Sequence, residues 1–281
     1  MTAAEVSSAA TTALRPFRSP LLVGLPGVAH GFTGRAVGYD AADANVGYSA
    51  PRDRTLAWAA RDAWCAAIGL DAERMVTVGQ VHGADVLGVG DREAGVGARP
   101  GTGPAGYADA LVTDRPGVVL MTLHADCLPI LLVDPDRPAV AAVHAGWRGT
   151  VAGVAGAAVA AMTREFGTDP GRLLAAVGPA ICAPCYEVGP EVVDAWTSVE
   201  GDPAAVVAGT GPTARPHFDL TTANRWSLVR AGVRPDRIDL AGICTRCDGE
   251  AWFSHRGQGP TTGRFGAVIG LTGDRPAGEG R

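Results

Sequence analysis

Lysine is absent from the 281-residue sequence, and all 24 positive side chains are arginine. That excludes a lysine Schiff base and a P-loop lysine from the chemistry of this chain. With the abundant alanine, glycine and proline, the all-arginine usage reads as a coding bias toward GC rather than as a functional signal. No apolar run approaches the ~18–20 residues that span a bilayer, so no membrane partner is expected. The first twenty residues lack the charged and continuous apolar segments of a secretory signal. Six cysteines are too few for a disulfide framework and are scattered, which fits a reducing compartment and a cytoplasmic location. A formal net charge of -5 and a pI near 5.7 give no sign of a nucleic-acid partner.

What is present is an ordinary globular composition, 47% apolar and 19% charged, long enough to bury a substantial core. Neither an internal repeat nor a linker divides it. Residues 1–20 and 272–281 read as flexible tails around a single domain at 21–271, and the glycine-rich stretch 91–107 reads as one long loop. Apolar patterning predicts strands at 75–78, 86–89, 118–123, 128–133, 139–143, 173–177, 238–243 and 267–271. Helices are predicted over 52–68, with Leu56, Ala60, Ala63, Trp64, Ala67 and Ile68 on one face and Gly69 as the stop, and over 150–166 before Gly167. A third runs from the cap Asp219 through Trp226 and Leu228 to Gly232. Strands that follow one another without intervening helices indicate an α+β fold with mixed, largely antiparallel sheets.

Three segments carry candidate chemistry: GQVHGADV (79–86), LHADCLPILLVDP (123–135) and VAAVHAGWRGT (140–150). Each places a His or Cys near the end of an apolar strand beside small residues that leave room for a ligand. His82, Cys127 and His144 would form an open zinc set, with a fourth tetrahedral position for water or substrate. The same residues also permit a nucleophilic Cys127 with His144 or His82 as base, or simple burial of each. Spacing leaves these alternatives open.

Together with ADALVT (108–113), GPAICAPCYEVG (178–189), DLTTANRW (219–226) and ICTRCDGEAWFSHRGQGPTTGRF (243–265), these segments resemble the laccase-domain family over about residues 27–271. Members of that family have been called multicopper polyphenol oxidases, purine nucleoside phosphorylases and peptidoglycan editing factors. The resemblance implies a four-layer α/β/β/α fold like that of cytotoxic necrotizing factor catalytic domains, and a metal triad at His82, Cys127 and His144. It also implies a zinc-dependent purine nucleoside phosphorylase with adenosine deaminase and methylthioadenosine phosphorylase activity, whose partners are a nucleoside and phosphate. The alternatives are a zinc amidase that removes wrongly incorporated serine from a peptidoglycan precursor, a copper-dependent phenol oxidase and a non-catalytic binding module. The six histidines include no His-x-His pair, which argues against true laccase chemistry while leaving copper possible as the bound metal. The zinc deaminase HxE…PCxxC signature is also absent.

Two departures from the family pattern stand out. His124 replaces the usual Thr or Ser before the ADC tripeptide, and strand alternation turns it away from Ala125 and Cys127, making it a neighbour rather than a ligand. RGQGPTTGR stands where paired arginines are usual. Arg148 is the leading candidate for holding a substrate oxyanion, near the start of the alanine-rich helix; Arg256 and Arg264 are further candidates. Gln80 would contact a base or sugar, or support the metal site. The pairs Cys182/Cys185 and Cys244/Cys247 have CxxC spacing, but 58 residues lie between them, too many for a compact zinc ribbon. They are therefore expected to be packing residues.

Overall fold

The computed structural model describes residues 13–200, 206–208 and 215–273. Two sheets are packed face to face with helices on both outer faces. The first sheet has the order β1 (Val28–Phe32), β12 (Phe265–Leu271), β5 (Val119–His124), β2 (Met75–Val76). The second has the order β11 (Ile238–Leu240), β8 (Leu174–Val177), β6 (Leu128–Asp134), β7 (Ala139–Ala145), β4 (Ala110–Thr113), β3 (Val86–Gly88). Antiparallel pairs dominate; β2–β5, β3–β4 and β8–β11 are parallel. A two-stranded ribbon pairs β9 (Val207–Ala208) with β10 (His217–Phe218).

Alternation along the strands explains the layering. Leu120, Phe265, Ala267 and Ile269 of the first sheet share an apolar cluster with Leu131, Val133, Val140 and Ala142 of the second. The opposite face of the second sheet, with Ile130, Leu132, Ala141 and Val143, is covered by α3 (Val154–Phe166), α4 (Pro190–Glu200) and α5 (Leu220–Arg230). The outer face of the first sheet, with Val119, Met121 and Val268, is covered by α1 (Arg54–Ile68). The order α/β/β/α follows. β6 and β7 are buried along their whole length, as near-continuous apolar runs between two covered faces should be.

Several local expectations shift. The buried face of α1 is Ala57, Ala60, Arg61, Trp64, Cys65 and Ile68, a register that places Arg61 inside. Its guanidinium donates to the carbonyls of Val46, Gly97 and Ala98 at 2.7–2.9 Å and stacks on Tyr48. These bonds explain how a buried cation is tolerated, and they tie the glycine-rich segment 91–107 to the helix. The predicted helix 150–166 is two helices, α2 (Trp147–Val151) and α3, because Gly153 takes φ 81 between them. β1, β4 and α4 carry no predicted counterpart. The first two are short, and Gly189-Pro190 reads as punctuation although proline suits a first helical turn. A further short helix, α6, spans His255–Gln258. Of the expected tails, residues 1–12 and 274–281 lie outside the described residues; within 13–20, Phe17 pairs with Phe32. Among the described residues no helix is long and apolar enough to cross a membrane.

Candidate metal centre and cleft

β5 belongs to the first sheet and β6 to the second, so Ala125-Asp126-Cys127 is the crossing between them. His144 sits near the end of β7, paired opposite Pro129 at the start of β6. The register that pairs β4 with β7 carries the preceding Asp109 to the same place, where the His144 N–H donates to the Asp109 carbonyl at 2.7 Å. The loop between β2 and β3 brings His82 over both. The side-chain donor atoms of His82, Cys127 and His144 all lie within 4.8 Å of one another.

Asp109, fully buried, organises the group. Its carboxylate accepts the backbone N–H groups of Val81, His82 and Gly83 at 3.2, 3.0 and 2.6 Å. These bonds hold His82 at φ 61, a left-handed conformation that non-glycine residues rarely adopt. The same carboxylate lies 2.8 Å from His144 Nδ1. A carboxylate can only accept, so Nδ1 carries a proton and Nε2 is the ring nitrogen left for Cys127, His82 and an ion. Such a carboxylate partner is what a metal-ligating imidazole normally has. Burial opposes charge on Asp109, but His144 and the loop N–H groups more than offset it and lower its pKa. Sequence reasoning passed over this residue; the signal was an Asp immediately before the short apolar run ALVT.

Burial likewise opposes charge at Cys127 and His144. Their mutual attraction prevails, lowering the Cys127 thiol and raising the His144 imidazole, with Asp109 also favouring the imidazolium. The donor set is therefore poised to supply a thiolate. Gly146 provides the space: a Cβ there would lie 3.0 Å from the His82 ring and 3.1 Å from Cys127 Sγ. Two imidazoles and one thiolate, fixed on one side and open on the other, suit a borderline-soft divalent ion.

His124 takes no part in this set. Its Nδ1–H donates to the Cys127 carbonyl at 3.1 Å and its Nε2 accepts from the Thr122 hydroxyl at 2.8 Å, so both ring nitrogens are occupied. Burial, then the neighbouring His144 charge, lowers its pKa well below the ordinary histidine value. Asp126, at φ 86, accepts the hydroxyls of Thr245 and Ser254, both at 2.7 Å, and the Arg256 N–H at 2.6 Å. It binds the inter-sheet crossing to the segment that carries Arg256.

The triad opens into a cleft of about 720 Å³, lined also by Gln80, Trp147, Arg148, Tyr186, Arg256 and Arg264. Arg148 is exposed, lies over Trp147 at 4.4 Å and has no carboxylate partner among the described residues. Arg256 donates to the Glu187 carbonyl and lies over Tyr186. The Arg264 guanidinium is half-buried and donates to the carbonyls of Thr262 and Gly263. Gln80 uses both ends of its amide on the Leu123 backbone, at 2.9 and 2.7 Å. All seven residues singled out from sequence thus line one cleft.

The four CxxC cysteines depart from expectation. They are gathered at one place, with their sulfur atoms within 4.8 Å of one another. Ala180 and Cys244 bridge in parallel beyond the ends of the neighbouring strands β8 and β11, so a long sequence separation closes to a short distance.

A family model described as multi-copper polyphenol oxidoreductase laccase matches residues 29–272. A purine nucleoside phosphorylase of Streptomyces coelicolor is 40% identical over 248 residues, covering 87% of this chain and 96% of its own. An adenosine deaminase from an unknown prokaryotic organism is 39% identical over 197 residues, covering 70% and 75%. The crystal structure of YlmD from Geobacillus stearothermophilus superposes with a TM-score of 0.83 at 33% identity, over 92% of this chain and 98% of the other. Geometry, family match and relatives agree, and the chain belongs to the multi-copper polyphenol oxidoreductase laccase family.

Proposed function

We propose that this protein is a cytoplasmic, zinc-dependent purine nucleoside phosphorylase that also deaminates adenosine and cleaves methylthioadenosine. The observation that carries the reading is the pairing, in one cleft, of an open His/His/Cys donor set with the Arg148 guanidinium, which has no carboxylate partner among the described residues. The names of the relatives, a purine nucleoside phosphorylase and an adenosine deaminase, support the substrate class.

His82, Cys127 and His144 would hold the ion, and copper satisfies the same donors. A bound zinc supplies Lewis acidity at neutral pH. The protein's own groups do the rest. Asp109 keeps the His144 proton on Nδ1. Arg148 offers a planar fork to a phosphate dianion, whose oxygen attacks the ribose C1′ while the base leaves with the electron pair of the glycosidic bond. Trp147 and Tyr186 supply apolar wall for a purine. Gln80 acts by fixing Leu123 at the cleft edge. A second reading makes Cys127 a nucleophile, because Cys127, His144 and Asp109 also stand as nucleophile, base and orienting group.

The test combines elemental analysis with phosphate-dependent turnover of a nucleoside panel. Cys127→Ala should lose triad zinc and activity together; retained zinc with lost turnover would favour the nucleophile. Arg148→Lys should raise the phosphate needed for cleavage roughly tenfold to a hundredfold, as for loss of one charge-assisted contact. Adenosine deamination, which needs no phosphate, should change far less. A wild type without phosphate requirement would rule out the phosphorylase and bring the amidase forward.

A further inference from the structure

The cluster of Cys182, Cys185, Cys244 and Cys247 lies outside the cleft and none of the chemistry above uses it. We propose that these four thiolates bind a second, structural zinc ion that clamps together the two loops forming one wall of the cleft.

The geometry comes first. A tetrahedral zinc with Zn–S bonds of about 2.3 Å holds its sulfurs about 3.8 Å apart. Here Cys185 and Cys247 Sγ are 3.4 Å apart, and all four sulfurs fall within 4.8 Å. A disulfide needs about 2.05 Å and would account for two of the four. Cys185 closes a short helical turn, residues 183–185, that begins directly after Cys182. Cys244 and Cys247 lie on the matching turn after β11. Two CxxC turns facing each other make a four-thiolate site.

The backbone gives an independent indication. The Cys182 N–H points at Cys244 Sγ at 3.3 Å, joining the two turns by a hydrogen bond that a thiolate accepts best. The Arg246 guanidinium donates to the Cys185 carbonyl at 3.1 Å, so a cation stands beside a site that becomes anionic when four thiolates surround one divalent ion.

The position explains the use. The first loop continues directly from Cys185 into Tyr186, a cleft residue. In the second, Thr245 lies between Cys244 and Arg246 and donates to Asp126, the neighbour of Cys127. Arg256, farther along, returns to the first loop through Glu187 and Tyr186. A zinc crosslink would fix this wall without touching substrate.

The full-length chain, purified under reductant and equilibrated with zinc, should be compared by elemental analysis with Cys127→Ala and with the double variant Cys182→Ser/Cys247→Ser. The double variant should lose about one zinc equivalent, and Cys127→Ala should keep that equivalent. If the cleft triad binds nothing, Cys127→Ala will match wild type while the double variant still loses its zinc, so the two readings fail separately. Wild type provides a readout that does not depend on the variants folding. Cobalt in place of zinc should show the intense thiolate charge-transfer bands of a tetrahedral four-sulfur site. Alkylation mapped by mass spectrometry should find all four cysteines shielded until a chelator is added. Unchanged zinc in the double variant, loss of all metal in Cys127→Ala, free alkylation of the four thiols in zinc-loaded wild type, or iron in place of zinc would each overturn the proposal.

Discussion

Asp109 is the residue on which the cleft's chemistry converges, because one carboxylate fixes both the His144 tautomer and the strained His82 loop. In Asp109→Asn the amide NH₂ must face either a backbone N–H or the His144 Nδ1–H, and both are donors. Metal affinity should fall roughly tenfold to a hundredfold, as for other lost carboxylate partners of ligating imidazoles. The fold should lose about 1–3 kcal/mol from a buried donor left unsatisfied. Chelator competition and thermal unfolding measure the two effects; an unchanged metal affinity would mean that His144 is oriented by packing alone. His124 shows the opposite case. It is a histidine in the site's own motif whose two nitrogens are already occupied.

At the scale of elements, the crossing from β5 to β6 joins the two sheets, and Asp126 fastens it to the C-terminal segment through three accepted hydrogen bonds. Asparagine tolerates φ 86 better than most residues, so Asp126→Asn removes accepting capacity without adding backbone strain. Substrate KM should rise as Arg256 loosens while triad metal stays constant, at a stability loss of about 1–3 kcal/mol. Parallel loss of metal and turnover would show instead that Asp126 holds Cys127 itself. The split of the predicted helix 150–166 belongs to this scale too. Gly153 gives the chain a left-handed residue, leaving Arg148 on α2, a helix of only five residues. An oxyanion held as proposed at Arg148 would therefore depend on the guanidinium rather than on a long helix dipole.

For the molecule as a whole, the segment before β1 straps the two sheets together at one edge. The Ser19 N–H donates to His30 Nε2 on β1 at 3.1 Å, and the Ser19 hydroxyl donates to Asp239 on β11 at 2.5 Å. Burial, then the charge of Arg18, lowers the His30 pKa to about 4 from an ordinary 6.5. The unfolded chain therefore takes up this proton first as pH falls. The stabilisation is complete above about pH 6.5 and is lost as pH drops through about 4, amounting to about 3 kcal/mol. His30→Gln keeps an acceptor for Ser19 but does not titrate, so its stability in urea should vary less over that interval. Equal pH dependence in both proteins would show that His30 titrates normally in the fold.

Much of the site was legible because its parts are local. An apolar strand ending in His144-Ala145-Gly146 announces an imidazole at a sheet rim, and small residues beside His82 and Cys127 leave room for an ion. Long buried strands such as β6 and β7 were legible for the same reason, since continuous apolar runs have no other stable place. Register, by contrast, is a property of pairs of strands. It set Asp109 against His144 and turned Arg61 of α1 inward toward three carbonyls that the sequence does not connect to it. Separation along the chain misled most at the cysteines. The 58 residues between the two CxxC pairs exceed the spacing of a compact zinc ribbon and pointed to packing roles, yet β8 and β11 are parallel neighbours and their following loops emerge side by side. Residue type and local pattern decided which groups could do chemistry; strand pairing decided which of them meet, because it brings distant segments within bonding distance irrespective of the chain between them.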